Sequence, residues 1–395
     1  MKEQRNKLIF RVSLLSISLF LMMAPQIASA LPLMYHAFPG VNRAGVEMLS
    51  TIPNFGIMFG LLISPIIVKY LGQKATILIG LIGTLVTGTF PIYCFAYTPI
   101  LISRFLIGLS IGLFNSLAVS LIPQFYSDNE NDLAQMVGIQ NVMGNVGAAI
   151  ASFLVSYLVT ISWHAAFAIY FLVIPALILF TLFVKLPKPE HHKAVIAKKN
   201  TQHINGSVIK IAILMFLIFT FYMTITFKLP ILIVQGKLGS TSQAALVAGF
   251  STLIAIPIGA CFGMVFKKIH DMIFPTSYLF VTLGFLGIAL AQNMPTLLGA
   301  IVLLSIGFGL GVPYMYNWLD WSAPADSVNL ATTVVLVLVN IGCFVSPTII
   351  DGITKLFGSS SPRIAMMVST VAFGLITVYA FIHYLSVHKK SKSEA

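Results

Sequence analysis

Long apolar stretches alternate with short polar breaks along this chain, and the length of the apolar stretches decides how they fold. A helix rises 1.5 Å per residue, so about 20 apolar residues cross the hydrocarbon core of a bilayer. Runs of that length recur over residues 8–31, 46–68, 75–95, 98–122, 134–159, 164–185, 208–234, 244–266, 273–292, 294–318, 328–350 and 362–386. They predict an all-α integral membrane protein with twelve transmembrane helices. The one long polar segment, "KLPKPEHHKAVIAKKNTQHINGS" at 185–207, divides six spans from six. The expected organisation is an N-terminal six-helix bundle (1–184), a cytoplasmic linker (185–207), a C-terminal six-helix bundle (208–386) and a cytoplasmic tail (387–395).

The two halves share features at a near-constant offset, the mark of an internal repeat. Pro32 in "ALPL" and Pro230 in "KLPI" lie 198 residues apart, as do Lys69 and Lys267. "GLSIG" (108–112) is answered by "GFGLG" (307–311) at an offset of 199. The repeat bears on how the N-terminus is read. "MKEQRNK", an apolar stretch and "ASA" at 28–30 have the outline of a secretory signal peptide. Cleavage after Ala30 would leave five spans facing six, so the first span is expected to stay.

Composition agrees with a bilayer environment: 58% of the 395 residues are hydrophobic and 9% charged, too few charges to cover a water-soluble surface. Most of the 23 lysines and arginines fall in segments that share a side with the N-terminus. The positive-inside rule then places both termini in the cytoplasm of a cell whose membrane the chain crosses repeatedly. That bias and contact with anionic lipid account for the net charge of +12 without a nucleic-acid partner. Cys94, Cys261 and Cys343 lie in separate spans and the histidines lack ligand spacing, so neither a metal nor a cofactor is expected.

Polar groups inside apolar runs are costly and mark candidate sites. Arg104 in the fourth span reads either as an anion-binding or gating group, or as a side chain held by backbone carbonyls or by Glu47. All eleven acids fall in loops or near span ends, which leaves Glu47 and Asp320 as the nearest candidates for proton coupling. Asn141 and Asn145, spaced i, i+4, suit interhelical hydrogen bonds, while Gly108 and Gly112 suit close helix packing. Pro25, Pro53, Pro65, Pro313 and Pro347 break helical hydrogen bonds and permit kinks. The chain carries no H-E-x-x-H, G-x-S-x-G or phosphate-cradling loop, so an enzyme is not expected.

Two six-span halves, a basic central loop and "LISRFLIGLSIG" with Arg104, Gly108 and Gly112 resemble the major facilitator superfamily. "PIIVKYLGQK" carries Gly72 and Lys74 of that family's loop after the second helix, with Pro65 and Lys69 in place of its glycine and aspartate. "GMVFKKIH" keeps Gly263 and Lys268 of the second copy. "MMAPQIASALP", "LSTIPNFGIMFGLLISP" and "ISWHAAFAIYFLVIPAL" are most similar to the cyanate and nitroimidazole transporter group, with Ala24-Pro25 where that group tends to have Arg-Pro.

The resemblance implies a major facilitator fold of two pseudo-symmetric halves whose first, fourth, seventh and tenth helices line the path. It implies a monomeric secondary transporter that moves a small organic solute, anions included, by alternating access, with H+ as a candidate coupling ion. Multidrug-type efflux of amphipathic compounds is the alternative. The substrate-facing candidates are Arg104, Gln26, Tyr222, Asn115 and Tyr314. The gating or structural candidates are Glu47, Gly72, Lys74, Gly108, Gly112, Asn141, Asn145, Gly263 and Lys268.

Overall fold

The structure, a computed structural model, describes residues 8–126, 129–186, 204–324 and 327–393. Most of the expected linker therefore lies outside the described residues. Among those described, every regular element is a helix. In a bilayer this satisfies backbone N–H and C=O groups within each segment, where no water is at hand.

Element α1 is a bent pair, Leu8–Phe20 and Ala24–Ala37, turning by 51° at its break. It runs past the expected end at residue 31, because Pro32 sits in the first turn of its last helical piece, where a missing N–H costs nothing. Then come α2 (Arg43–Ile92), α3 (Tyr97–Tyr126), α4 (Glu130–Leu158) and α5 (Ala165–Phe183). The second half holds α6 (Gly206–Gln235), α7 (Thr241–Leu290), α8 (Met294–Ser322), α9 (Val328–Leu356) and α10 (Pro362–Ser393). Asparagine starts several of these helices: Asn42, Asn205 and Asn293 each accept a hydrogen bond from the backbone N–H three residues on. Ser240 and Gln243 form a reciprocal capping box at the start of α7.

By length and composition nine of the described helices qualify as spans, and ten when bent α1 is counted as one. Two of them, α2 and α7, have 50 residues each. As one straight helix each would be about 75 Å long, more than twice the hydrocarbon thickness. Both are interrupted near the middle by a residue of positive φ: Gly72 (φ 81°, ψ 164°) in α2 and His270 (φ 45°, ψ −131°) in α7. The two positions differ by the repeat offset of 198. Cutting α2 and α7 there yields the twelve crossings that the apolar runs call for.

The chain separates into two compact units, Met1–Lys199 and Asn200–Ala395. In the first, α2 lies against α3 through glycines on both sides. A Cβ on Gly108 would run into the Pro53 carbonyl, one on Gly112 into that of Ile57, and one on Gly60 into that of Leu109. Such small-residue contacts let backbones meet where lipid offers no hydrophobic push between helices. In the second unit Phe274, Tyr278 and Phe285 of α7 build a buried core with Phe373 of α10. Gly307 of α8 fits against the Ser277 carbonyl of α7 in the same way.

Candidate functional site

Each unit holds a helix whose hydrogen-bonding ladder is interrupted within an apolar run, and side chains from neighbouring helices cover carbonyls there. In α1 the backbone tightens to 3-10 geometry over Ile17–Phe20 and again over Ala24–Ala30, with Pro25 at the start of the second stretch. Gln26 turns back to donate to the Met22 carbonyl at 3.1 Å and accepts from the Ser152 hydroxyl of α4 at 2.7 Å. Gly147 of α4 lets the two helices touch, since a Cβ there would strike the Leu19 carbonyl. Two buried oxygens near this contact, Ser18 Oγ and Gln140 Oε1, have no hydrogen-bond partner among the described residues.

Arg104 of α3 completes the arrangement from the other side. Its side chain is 0% exposed. Nη2 donates to the Ala24 carbonyl at 2.5 Å, Nη1 to the Tyr170 hydroxyl of α5 at 2.7 Å, and Nε to the Leu49 carbonyl of α2 at 3.0 Å. The guanidinium also lies over the rings of Phe167 and Tyr170, at 5.7 and 5.8 Å. The Leu49 contact has a specific cause. In a helix the Leu49 carbonyl would accept from residue 53, but that residue is proline and has no N–H. Arg104 supplies the missing donor. Of the two structural partners open to Arg104 in the sequence, the structure uses backbone carbonyls; Glu47, fully buried, accepts instead from the Tyr35 hydroxyl.

In the second unit, α6 is interrupted at Met223. At the repeat offset Met223 corresponds to Pro25, so the interruptions fall at related places in the two halves. Ser346 of α9 donates to the Thr220 carbonyl at 2.5 Å, and Ser369 of α10 to the Phe221 carbonyl at 3.1 Å and to Thr224 Oγ1 at 2.9 Å. One turn further along α6, Lys228 Nζ meets Asp351 Oδ1 of α9 at 2.5 Å, with side chains only 4% and 11% exposed. Both residues lie within helices, and Asp351 joins Glu47 as a buried carboxylate. Lys228 in an otherwise apolar run is a visible signal. Its partner is not, being 123 residues away on another helix.

The remaining candidates are distributed as follows. Tyr222, the residue before the α6 interruption, stacks on Phe308 with ring centroids 3.4 Å apart. Tyr314 of α8 is buried, stacks on Phe274 and donates to Asp271 at 3.0 Å. Asn115 is half-buried towards the far end of α3, and Asn145 is half-buried in α4. The Asn141 side chain lies outside the described residues. Asn340, the counterpart of these amides in the second half, donates within its own helix to Leu336. Lys74 donates to the Thr181 carbonyl at 2.9 Å and so covers the C-terminal end of α5. Lys268 sits in the last turn of the first half of α7, where a cation complements the helix dipole. Gly263 faces open space, with nothing within 4 Å of a Cβ built on it.

The chain is 23% identical over 315 residues to a probable nitrate transporter, NarT, of Staphylococcus haemolyticus, covering 77% of each chain. The solved nucleoside transporter NupG (D323A mutant) superposes with a TM-score of 0.75 at 10% identity, covering 95% of this chain and 99% of that one. The xylose transporter XylE from E. coli, in an inward-open conformation, gives 0.74 at 12% identity, over 94% and 95% of the two chains. The model of the Major Facilitator Superfamily matches residues 12–347. A match over that much of the chain, on a helical architecture with transporter neighbours, makes this protein a member of the Major Facilitator Superfamily, a membrane transporter rather than an enzyme.

Proposed function

We propose that this protein is a secondary transporter that moves a small solute, small anions foremost, across the cell membrane by alternating access, with both termini in the cytoplasm. The observation that carries the reading is the pair of interrupted helices, α1 and α6, at related positions of the two halves. Discontinuous helices at matching places in an internal repeat are where such proteins bind their cargo. Gln26 and Tyr222 stand next to those interruptions and are the first candidates to touch substrate. Arg104, with three donor groups already engaged, acts mainly by holding bent α1 in place. Likeness to a probable nitrate transporter supports an anion. The test is a thermal-stability screen of the purified full-length chain against small inorganic and organic anions, neutral solutes such as sugars and nucleosides, and lipophilic cations. Stabilisation by anions that is lost in Gln26→Ala or Tyr222→Ala supports the proposal. Stabilisation by lipophilic cations alone shifts the reading to efflux of amphipathic compounds.

A further inference from the structure

The contact between α1 and α4 carries one completed polar rung and one open one. Gln140, Gly144, Ala148 and Ser152 recur every fourth residue and so share a face of α4. On the α1 side Gln26 accepts from Ser152 at 2.7 Å, and a Cβ built on Gly144 would meet Met22 at 3.5 Å and the Ser18 carbonyl at 3.8 Å. The rung on the other side of Gly144 is not closed. Ser18 is 0% and Gln140 4% exposed, yet Ser18 Oγ and Gln140 Oε1 have no hydrogen-bond partner among the described residues. An unpaired buried acceptor carries its full desolvation penalty, and a ligand that supplies the missing partner removes it.

Two features give such a ligand room. The distances at Gly144 are ordinary contacts, so glycine leaves a methyl-sized gap there, unlike Gly147, where a side chain would strike the Leu19 carbonyl. Met22 borders the gap and is a flexible side chain 50% exposed, so open space comes within about one helical turn of the unpaired oxygens. The two oxygens also narrow what fits. An amide oxygen only accepts, whereas a serine hydroxyl both donates and accepts. The ligand therefore has to bring an O–H or N–H to Gln140. A group with acceptors alone would face the negative end of the amide dipole.

Taking the small-anion transporter reading as its premise, we propose that Ser18 and Gln140 form a donor-selective subsite. Of two anions equal in size and charge, the protein takes the one that carries an O–H or N–H. Hydrogen carbonate and nitrate make the distinction concrete, being isoelectronic, planar, monovalent anions that differ by one O–H. Gln140 accepts from that hydroxyl, and Ser18 donates to another oxygen of the anion. Water offers the same donors, so solute and water are the two sources that the experiment has to separate.

Thermal-shift titration of the purified full-length chain tests this at about pH 8 and constant ionic strength, with sodium hydrogen carbonate against sodium nitrate and sodium lactate against sodium propionate. The expected result is roughly tenfold tighter binding of the donor-bearing member of each pair, and no such preference in Gln140→Met. Ser18→Ala should weaken both members of a pair alike and keep the preference. Methionine matches glutamine in length, and an oxygen without a partner adds nothing to the unliganded fold. Gln140→Met should therefore keep or raise the melting temperature without ligand, which separates lost selectivity from unfolding. A clear fall in that temperature would mean that water already completes the rung, and overturns the proposal. Nitrate binding as tightly as hydrogen carbonate in the parent overturns it too, as does a preference that survives in Gln140→Met. So does stabilisation by neutral solutes alone; these last three outcomes leave transport itself standing. If no solute of any class stabilises the chain, the subsite and the transporter reading fall together.

Discussion

Arg104 shows how one side chain can be costly to bury and still belong in a membrane helix. Its three donors serve a carbonyl orphaned by Pro53, a carbonyl in the 3-10 stretch of α1 and a tyrosine hydroxyl. Arg104→Ala would leave those acceptors without a donor in a place that water does not reach. We expect it to destabilise the purified protein by about 3 kcal/mol, read as a clear fall in melting temperature. Arg104→Lys, with a single point-like head group, should recover only a part. An unchanged melting temperature in Arg104→Ala would contradict the bracing role. His270 offers the opposite case. It adopts φ 45°, ψ −131° where its counterpart in the first half is glycine. Relief of that backbone strain outweighs the added freedom of glycine in the unfolded chain, so His270→Gly should raise stability by about 1 kcal/mol. Gly72→Ala should lower it. At this scale the sequence was partly legible. Arg104 stands out in an apolar run and Gly108 announces close packing, but nothing local reveals that a proline in another helix creates the acceptor that Arg104 serves.

Among the helices, the recurring theme is a ladder opened at one place and closed from another helix. Pro53 opens α2 and Arg104 closes it; α6 is interrupted at Met223 and Ser346 and Ser369 cover its carbonyls. If this is the logic, Pro53 and Arg104 are energetically coupled. Pro53→Ala restores an N–H to the Leu49 carbonyl, so Arg104→Ala should cost less in that background than in the parent. A double-mutant cycle on melting free energies reads the coupling directly, and strict additivity would argue against it. The spans themselves were legible because hydrocarbon demands long apolar runs and little else looks like them. The 51° bend in α1 was not, since Pro25 permits a kink but the packing of α4 and the grip of Arg104 decide its form. The double length of α2 and α7 was equally hidden: a short basic connection reads as a loop, yet the chain stays helical on both sides of a single left-handed residue.

For the molecule as a whole, the distribution of lysine and arginine argues for cytoplasmic termini. A fluorescent protein fused to the C-terminus should therefore fold and fluoresce in the parent cell, and alkaline phosphatase fused at the same place should stay inactive; the reverse pattern would invert the topology. The repeat offset was legible in the sequence, and Gly72 and His270 break their helices 198 positions apart. The Lys228–Asp351 pair was not legible, because its members are distant in sequence and meet only after four helices of the second unit are in place. That separation matters before the protein is ever finished. Lys228 leaves the ribosome 123 residues ahead of Asp351, which at ordinary synthesis speeds is roughly ten seconds. During that interval α6 has to enter or wait beside the bilayer before the Asp351 carboxylate that Lys228 meets has been made. It can do so by reaching its ammonium towards the headgroups, or by staying with the insertion machinery until α9 arrives. The contact that joins α6 to α9 through this pair therefore closes only after α9 has been made.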